Sequence, residues 1–298
     1  MVDYADTSMA LHGTTAVDFK FTSANEIVDG STLTADAGTN AKTLIDGSTA
    51  DYDVLNLTLT AAPTALGANF TMQNIETLNI AAQNTASMTV SLSGAKISGL
   101  KTISISGDPT AGVTLTDTAG FTAFGVTKID ASGLIGADAK FTVDANAATK
   151  GLSIIGGAAA DKITGGSCAD VLTGNGASDT FVVTNVTAGK IDKITDFEAG
   201  SDKIATGANK TKAAVKYTDK GEFAVSTYAT LDDVLATFAT GKANATVAKE
   251  AYSFVYDNKT YVLIDNGTAG YDKADDSVVE ITGYTRTLTA ADFLNDTI

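Results

Sequence analysis

The chain has 298 residues, of which 44% are hydrophobic and 18% charged, so it can bury a core, and wholesale disorder is not expected. Its formal net charge of −15 disfavours nucleic-acid phosphates and anionic membrane surfaces as partners, and suits divalent cations that take oxygen ligands. One cysteine, Cys168, excludes an intramolecular disulfide, and no apolar run approaches the roughly 20 residues of a membrane span.

In chain order, the segment 1–50 carries little pattern and is expected to be an entry segment or the end of an upstream domain. Met1-Val2-Asp3-Tyr4 shows neither a basic nor an apolar signal region. This fits a cytosolic chain, a chain exported by a C-terminal signal, or a fragment. From position 51 a short alternating strand pattern recurs. Leu78, Ile103, Ile129 and Leu152 mark it at nearly equal steps, and Leu55 lies one such step before Leu78. Second strands are expected at 88–92, 113–115 and 141–143. Each repeat over 51–155 therefore reads as a coil of two strands and two turns. Such a pair cannot bury its apolar row alone, and stacking does so. The steady period favours a β-solenoid over a β-sandwich.

At 156–182 the period tightens. Gly156-Gly157-Ala158-Ala159-Ala160-Asp161-Lys162-Ile163-Thr164 is followed directly by a second nonapeptide from Gly165 and a third from Gly174. Asp161, Asp170 and Asp179 recur at every ninth position, as do the apolar Ile163, Leu172 and Phe181. This resembles the RTX repeat, Gly-Gly-x-Gly-x-Asp-x-apolar-x. The resemblance implies a six-residue turn that offers backbone carbonyls and an Asp carboxylate to Ca2+, then a short strand whose apolar residue faces inward. The expected metal donors are the turn residues Gly156, Ala158, Asp161, Gly165, Ser167, Asp170, Gly174, Gly176 and Asp179. Two nonapeptides complete a coil and alternate turns stack, so Asp161 and Asp179 share one edge. Asp170 needs a partner on the other, which the spacing does not identify. The fourth turn position is Ala159, Cys168 and Ala177 rather than Gly, and the second is Asn175 in the last copy. Ala resists positive φ, so less ideal turns are expected there. Cys168 is expected to be a small turn residue, not a reactive thiol.

Ile191-Asp192-Lys193-Ile194-Thr195-Asp196-Phe197-Glu198-Ala199-Gly200-Ser201-Asp202-Lys203-Ile204 resembles the segment that closes RTX solenoids. Asp196 and Asp202 become candidate ligands, and the calcium coils are taken as 156–205. In 206–298, Leu231, Val234, Leu235 and Phe238 predict one short amphipathic helix capped by Thr230, with Asp232 and Asp233 in its first turn. Strands are expected at 252–256, 261–265 and 278–281. The acidic glycine loop from Asp265 to Asp276 makes Asp265 and Asp272 further candidates, against a solvated hairpin loop. Thr289 and Asp292 resemble a capping box that opens a last helical turn.

This block resembles the C-terminal target region of proteins exported by type I secretion, and more closely the C-terminal portion of Caulobacter-type S-layer proteins. The resemblance implies an all-β, elongated β-solenoid (parallel β-helix) with a β-rich C-terminal cap containing a short helix. It further implies a secreted, calcium-dependent protein that self-assembles into a two-dimensional array and engages the type I secretion machinery through 206–298. Cell-surface lipopolysaccharide would be bound through a part that the sequence does not identify. The rival readings are a fragment of an RTX adhesin and, behind it, a calcium-dependent polysaccharide-active enzyme.

Catalysis is not expected. Zinc-protease and Ser–His–acid chemistry would have to use the single histidine, His12. Gly165-Gly166-Ser167-Cys168-Ala169 lacks the last Gly of a nucleophile elbow. The single arginine, Arg286, lies off the solenoid. Carboxylate pairs for glycoside chemistry stay open, but the chain has no Trp to form a sugar platform.

Overall fold

The computed structural model describes residues 17–20, 27–28, 43–46, 54–59, 70–83, 85–92, 96–117, 120–183, 190–206, 216–239, 242, 250–265, 269–273, 276–283 and 287–294. His12 and Arg286 lie outside them, as does most of 1–50. Among the described residues the fold is all-β apart from one short α-helix and two 3-10 turns, and its strands form mainly parallel sheets in a β-solenoid. Among the described residues no helix is long and apolar enough to cross a membrane.

From position 77 to 206 the chain alternates between two parallel ladders. Thr77–Ala82, Thr102–Gly107, Lys128–Leu134, Ser153–Ile155, Val171–Thr173 and Asp192–Ile194 stack in a twelve-stranded sheet. Met88–Ser91, Val113–Thr116, Phe141–Asp144, Lys162–Thr164, Thr180–Val183 and Lys203–Thr206 stack in a seven-stranded one. Each strand pairs with its counterpart one coil away, so like residues stack on like. Leu55, Leu78, Ile103, Ile129, Ile154, Leu172, Ile194 and Ile281 form one unbroken inward row. Val90, Leu115, Val143, Ile163, Phe181, Ile204 and Phe293 form the facing row. Both rows are buried in a single apolar core. Each such side chain contributes about 1.5–3 kcal/mol by leaving water.

Two details differ from the sequence reading. The residue opposite Ile129 is Ile154, not Leu152. Both are buried, and a two-residue slip leaves every side chain on the same face, so the pattern alone does not separate the two registers. The early coils also carry a third wall. Val17–Lys20, Thr43–Asp46, Phe70–Gln73 and Lys96–Ser98 form a separate four-stranded parallel sheet, so the coil that starts at Thr77 has three strands, not two. These long coils hold more chain than two strands and two tight turns can use. The surplus forms this wall, and in the next coil the 3-10 turn Phe121–Ala123, with Phe121 buried, follows the second strand. The nonapeptide coils have no such surplus.

After Lys203–Thr206 the chain leaves the solenoid and later returns. Lys216–Phe223, Glu250–Tyr256 and Lys259–Ile264 extend the twelve-stranded sheet, and Ser277–Ile281 joins them to Asp192–Ile194. Phe293–Leu294 then pairs with Lys203–Thr206, so 277–294 lay a last rung on both ladders. The hairpin turn at Asp257 (φ 52°) and Asn258 (φ 57°) is left-handed at both central residues, as a two-residue turn between twisted strands requires. The helix Leu231–Ala236 has the expected Thr230 cap, completed by Asp233 into a capping box. It buries Val234, Leu235 and nearby Phe238 against Phe223, Tyr252, Phe254 and Tyr261 in a second core. The Thr289–Asp292 capping box is present too, and opens a 3-10 turn.

Candidate metal centre

The nonapeptides fold as their pattern requires, with a six-residue turn and then a short strand beginning at Lys162, Val171 or Thr180. Turns 156–161 and 174–179 lie on one edge, where the chain passes from the twelve- to the seven-stranded sheet. The segment 195–202 continues that edge, and turn 165–170 lies on the opposite one.

On the first edge the aspartates form a column. Asp161 Oδ1 accepts the Phe141 N–H at 2.7 Å, Asp179 Oδ1 accepts the Asp161 N–H at 2.8 Å, and Asp202 Oδ1 accepts the Asp179 N–H at 3.0 Å. Each carboxylate thus holds the backbone of the preceding coil. The second oxygens of Asp161 and Asp202 accept N–H groups from their own turns, Gly157 at 2.5 Å and Glu198 at 2.8 Å. On the other edge Asp170 Oδ1 accepts the Leu152 N–H at 2.7 Å and Asp170 Oδ2 the Gly166 N–H at 2.6 Å. The partner of Asp170 is Asp192, whose Oδ1 accepts the Asp170 N–H at 2.9 Å. Asp192 escapes the nonapeptide spacing because it lies beyond the third repeat. A signal was nonetheless present, since the tripeptide Asp-Lys-Ile occurs at 161–163, 192–194 and 202–204.

The first glycine of each nonapeptide is required by these carboxylates. A Cβ on Gly165 would lie 2.7 Å from Asp170 Oδ2, and one on Gly156 or Gly174 would sit closer still to Asp161 or Asp179. At the fourth position only Ala177 takes the strained left-handed backbone (φ 70°); Ala159 and Cys168 do not. Asn175 (φ 71°) tolerates that conformation better, and its Nδ2 donates to the Gly156 carbonyl at 2.8 Å. Gly176 packs against the Ala158 carbonyl of the stacked turn. Ser167 N–H and Oγ both donate to the Ala148 carbonyl at 3.3 Å. Cys168 is buried in its turn, with Sγ donating to the Thr149 carbonyl and accepting from Lys190 Nζ, each at 3.1 Å.

The other candidates are placed differently. Asp196 caps the third turn, accepting the N–H of Gly174 at 3.0 Å and of Asn175 at 2.7 Å. Asp265 and Asp272 lie outside both columns. Asp265 Oδ2 accepts the Gly270 N–H at 3.1 Å, and the Asp272 N–H goes to Asp276 Oδ2 at 2.8 Å. Residues 266–268 and 274–275 of that loop are outside the described set.

Asp161, Asp170, Asp179, Asp192 and Asp202 are all buried, and no ion pair among the described residues reaches them. Burial therefore dominates their ionisation. It pushes Asp161 up to about 6, against the pull of the Phe141 and Gly157 N–H groups. Asp179 rises to about 7 and Asp192 to about 8, chiefly through burial and then through neighbouring carboxylates. Asp170 and Asp202 are also raised by burial. Stacked carboxylates that resist charging are the natural seat of a divalent cation. Among the described residues no three acidic, histidine or cysteine side chains converge on one point. The donors on offer are paired carboxylates and turn carbonyls. This all-oxygen set fits calcium, which accepts irregular geometry with about 6–8 ligands.

Residues 113–294 match the family described as Peptidase M10 serralysin C terminal, a span that takes in both aspartate edges and the returning rung. The chain belongs to the serralysin C-terminal family. This is the RTX-repeat region of type I-secreted proteins, so the RTX resemblance of the nonapeptides and the β-solenoid around them agree with it. No curated protein matches the chain significantly.

Proposed function

We propose that this serralysin C-terminal domain is a non-catalytic, calcium-stapled module of a secreted surface protein, and that it assembles into the two-dimensional array of an S-layer. The observation that carries the calcium reading is the Asp161–Asp179–Asp202 column, buried, bonded from coil to coil and without a basic partner among the described residues. Calcium, when bound, supplies the positive charge that such a column lacks. The chain's own residues do the rest. Without a cation the ionised aspartates repel one another across coils and oppose closure, which keeps the repeats loose for passage through a type I exporter. With their charge neutralised they hold successive coils by their N–H groups, and metal binding becomes folding energy. The segment 206–298 is the proposed contact with the exporter, by its likeness to secretion-target regions. Lattice contacts are assigned to the acidic surface, and lipopolysaccharide anchoring to a part that the sequence does not identify.

The test is a calcium titration of the purified chain from micromolar to about 10 mM, with magnesium as control, followed by circular dichroism, particle size and electron microscopy. Ordered sheets after a calcium-specific gain of β-structure support the lattice. Folding to a persistent monomer contradicts the lattice and favours an adhesin.

A further inference from the structure

We infer that Asn175–Gly176 is a spontaneous modification site, at which the asparagine converts to aspartate or isoaspartate when the stacked turns are open and is protected when they are closed. That calcium closes the turns rests on the reading above; the site itself rests on the geometry of the third turn.

Asn is followed by Gly at two places in the sequence, 175–176 and 266–267. Glycine has no Cβ to shield its backbone nitrogen, and its backbone turns freely. That nitrogen can attack the side-chain carbonyl carbon of the preceding Asn. The Gly176 N–Cγ bond forms, the Cγ–Nδ2 bond breaks, and Nδ2 leaves as ammonia with the proton of the Gly176 N–H. Water then opens the five-membered imide at either carbonyl and gives aspartate or isoaspartate. The step needs neither oxidant nor cofactor, and Asn175 is exposed, so water reaches it.

The closed turn opposes this at three points. Asn175 Nδ2, the leaving group, is held 2.8 Å from the Gly156 carbonyl oxygen of the stacked turn. Gly176 packs against that same turn, where a Cβ on it would lie 3.1 Å from the Ala158 carbonyl oxygen. Ring closure has to rotate the side-chain amide and the peptide between these two anchors, so it breaks the first and displaces the second. On the other side, Asp196 accepts the Asn175 N–H at 2.7 Å and the Gly174 N–H at 3.0 Å. Its carboxylate fixes the backbone and disfavours an anionic nitrogen one residue further on. All these contacts come from neighbouring coils, at 156–158 and at 196, so separating the coils removes them together.

The product opposes reclosure. Aspartate replaces the Nδ2 donor with an ionised oxygen against the Gly156 carbonyl, beside Asp196. Isoaspartate also adds a main-chain atom to the turn that joins Val171–Thr173 to Thr180–Val183. Time spent open is thereby converted into permanent loss of the closed form.

The test incubates the full chain at mildly alkaline pH in calcium, in EDTA and in urea, and follows the exchange of NH2 for OH at position 175 by peptide mass spectrometry. In urea, Asn175 is expected to convert as fast as Asn266. In calcium it is expected to convert more slowly by about tenfold or more, because only the opened fraction reacts. In EDTA the rate should lie between the two. Asn175→Gly keeps a residue suited to the left-handed backbone (φ 71°) and should abolish the conversion at 175 while Asn266 still reacts in urea. Asn175→Asp should melt below wild type in EDTA. Equal rates at Asn175 in calcium and in urea would overturn the protected site, and an Asn175→Asp variant that melts at or above wild type in EDTA would overturn the block to reclosure. Equal rates in calcium and EDTA, both far below the rate in urea, would support the protected site and overturn the calcium reading instead.

Discussion

The long early coils and the nonapeptide coils share the same two ladders and the same continuous apolar rows, yet they are held together differently. Upstream, at 77–134, a third wall or a buried Phe121 enlarges the core, and few buried polar groups interrupt it. In the nonapeptide region each coil is shorter, its strands of three or four residues each place one apolar residue in the stacked inward rows, and each turn buries a carboxylate. The first arrangement converts sequence length into apolar area. The second compresses the coil around buried carboxylates, and under the proposed calcium reading its stability depends on a cation. A single solenoid can thus hold an unconditional part and a conditional part without a change of topology.

Damage to the unconditional part should give the largest effect. Ile103→Ala empties the inward row between Leu78 and Ile129 and is expected to cost about 2–5 kcal/mol, equally in calcium and in EDTA, as read by chemical unfolding. Asp179→Ala should do the opposite in kind. It removes the middle of the column and strands the buried Asp161 N–H, so calcium affinity is expected to fall at least tenfold, or about 1.4 kcal/mol, with a smaller change in EDTA.

This division was partly legible in the sequence. The nonapeptide recurrence of Asp161, Asp170 and Asp179 determined strands, turns and the first edge, because repeat length and coil geometry are the same quantity there. Asp192 was missed because its step from Asp170 breaks that recurrence, and only the repeated Asp-Lys-Ile tripeptide pointed to it. The returning rung was hidden for a related reason. Ile281 and Phe293 stack on Ile194 and Ile204 across a long excursion, and no local period connects residues so far apart. The third wall was hidden because its strands are only three or four residues long, too short to show a period of their own.

The pH response separates the two regions again. Asp161, Asp179 and Asp192 have folded values raised to about 6, 7 and 8, whereas an unfolded aspartate titrates near ~4. The folded state therefore binds more protons in that window, and in EDTA its stability is lost as pH rises from about 4 towards 8. The nonapeptide region without calcium is expected to melt higher at pH 5 than at pH 8. Saturating calcium should flatten that difference. A melting temperature in EDTA that rises with pH would contradict the electrostatic account.

Two smaller effects bound the regions. Thr230→Ala removes the helix cap of the inserted module and should cost about 1 kcal/mol with no calcium dependence, measured by thermal melting. Ala177→Gly relieves the left-handed strain in the third turn and should stabilise the calcium-bound form by about 0.5–1 kcal/mol, with tighter binding in a titration.

Hydrogen exchange resolved along the chain, in calcium and in EDTA, reads the conditional and unconditional parts in one experiment. The amides of 152–183 are expected to gain at least tenfold protection on adding calcium, led by the buried N–H groups of Leu152, Asp161, Asp170 and Asp179, while those of 77–134 change little. Equal protection of 152–183 in both conditions would contradict a calcium-dependent solenoid.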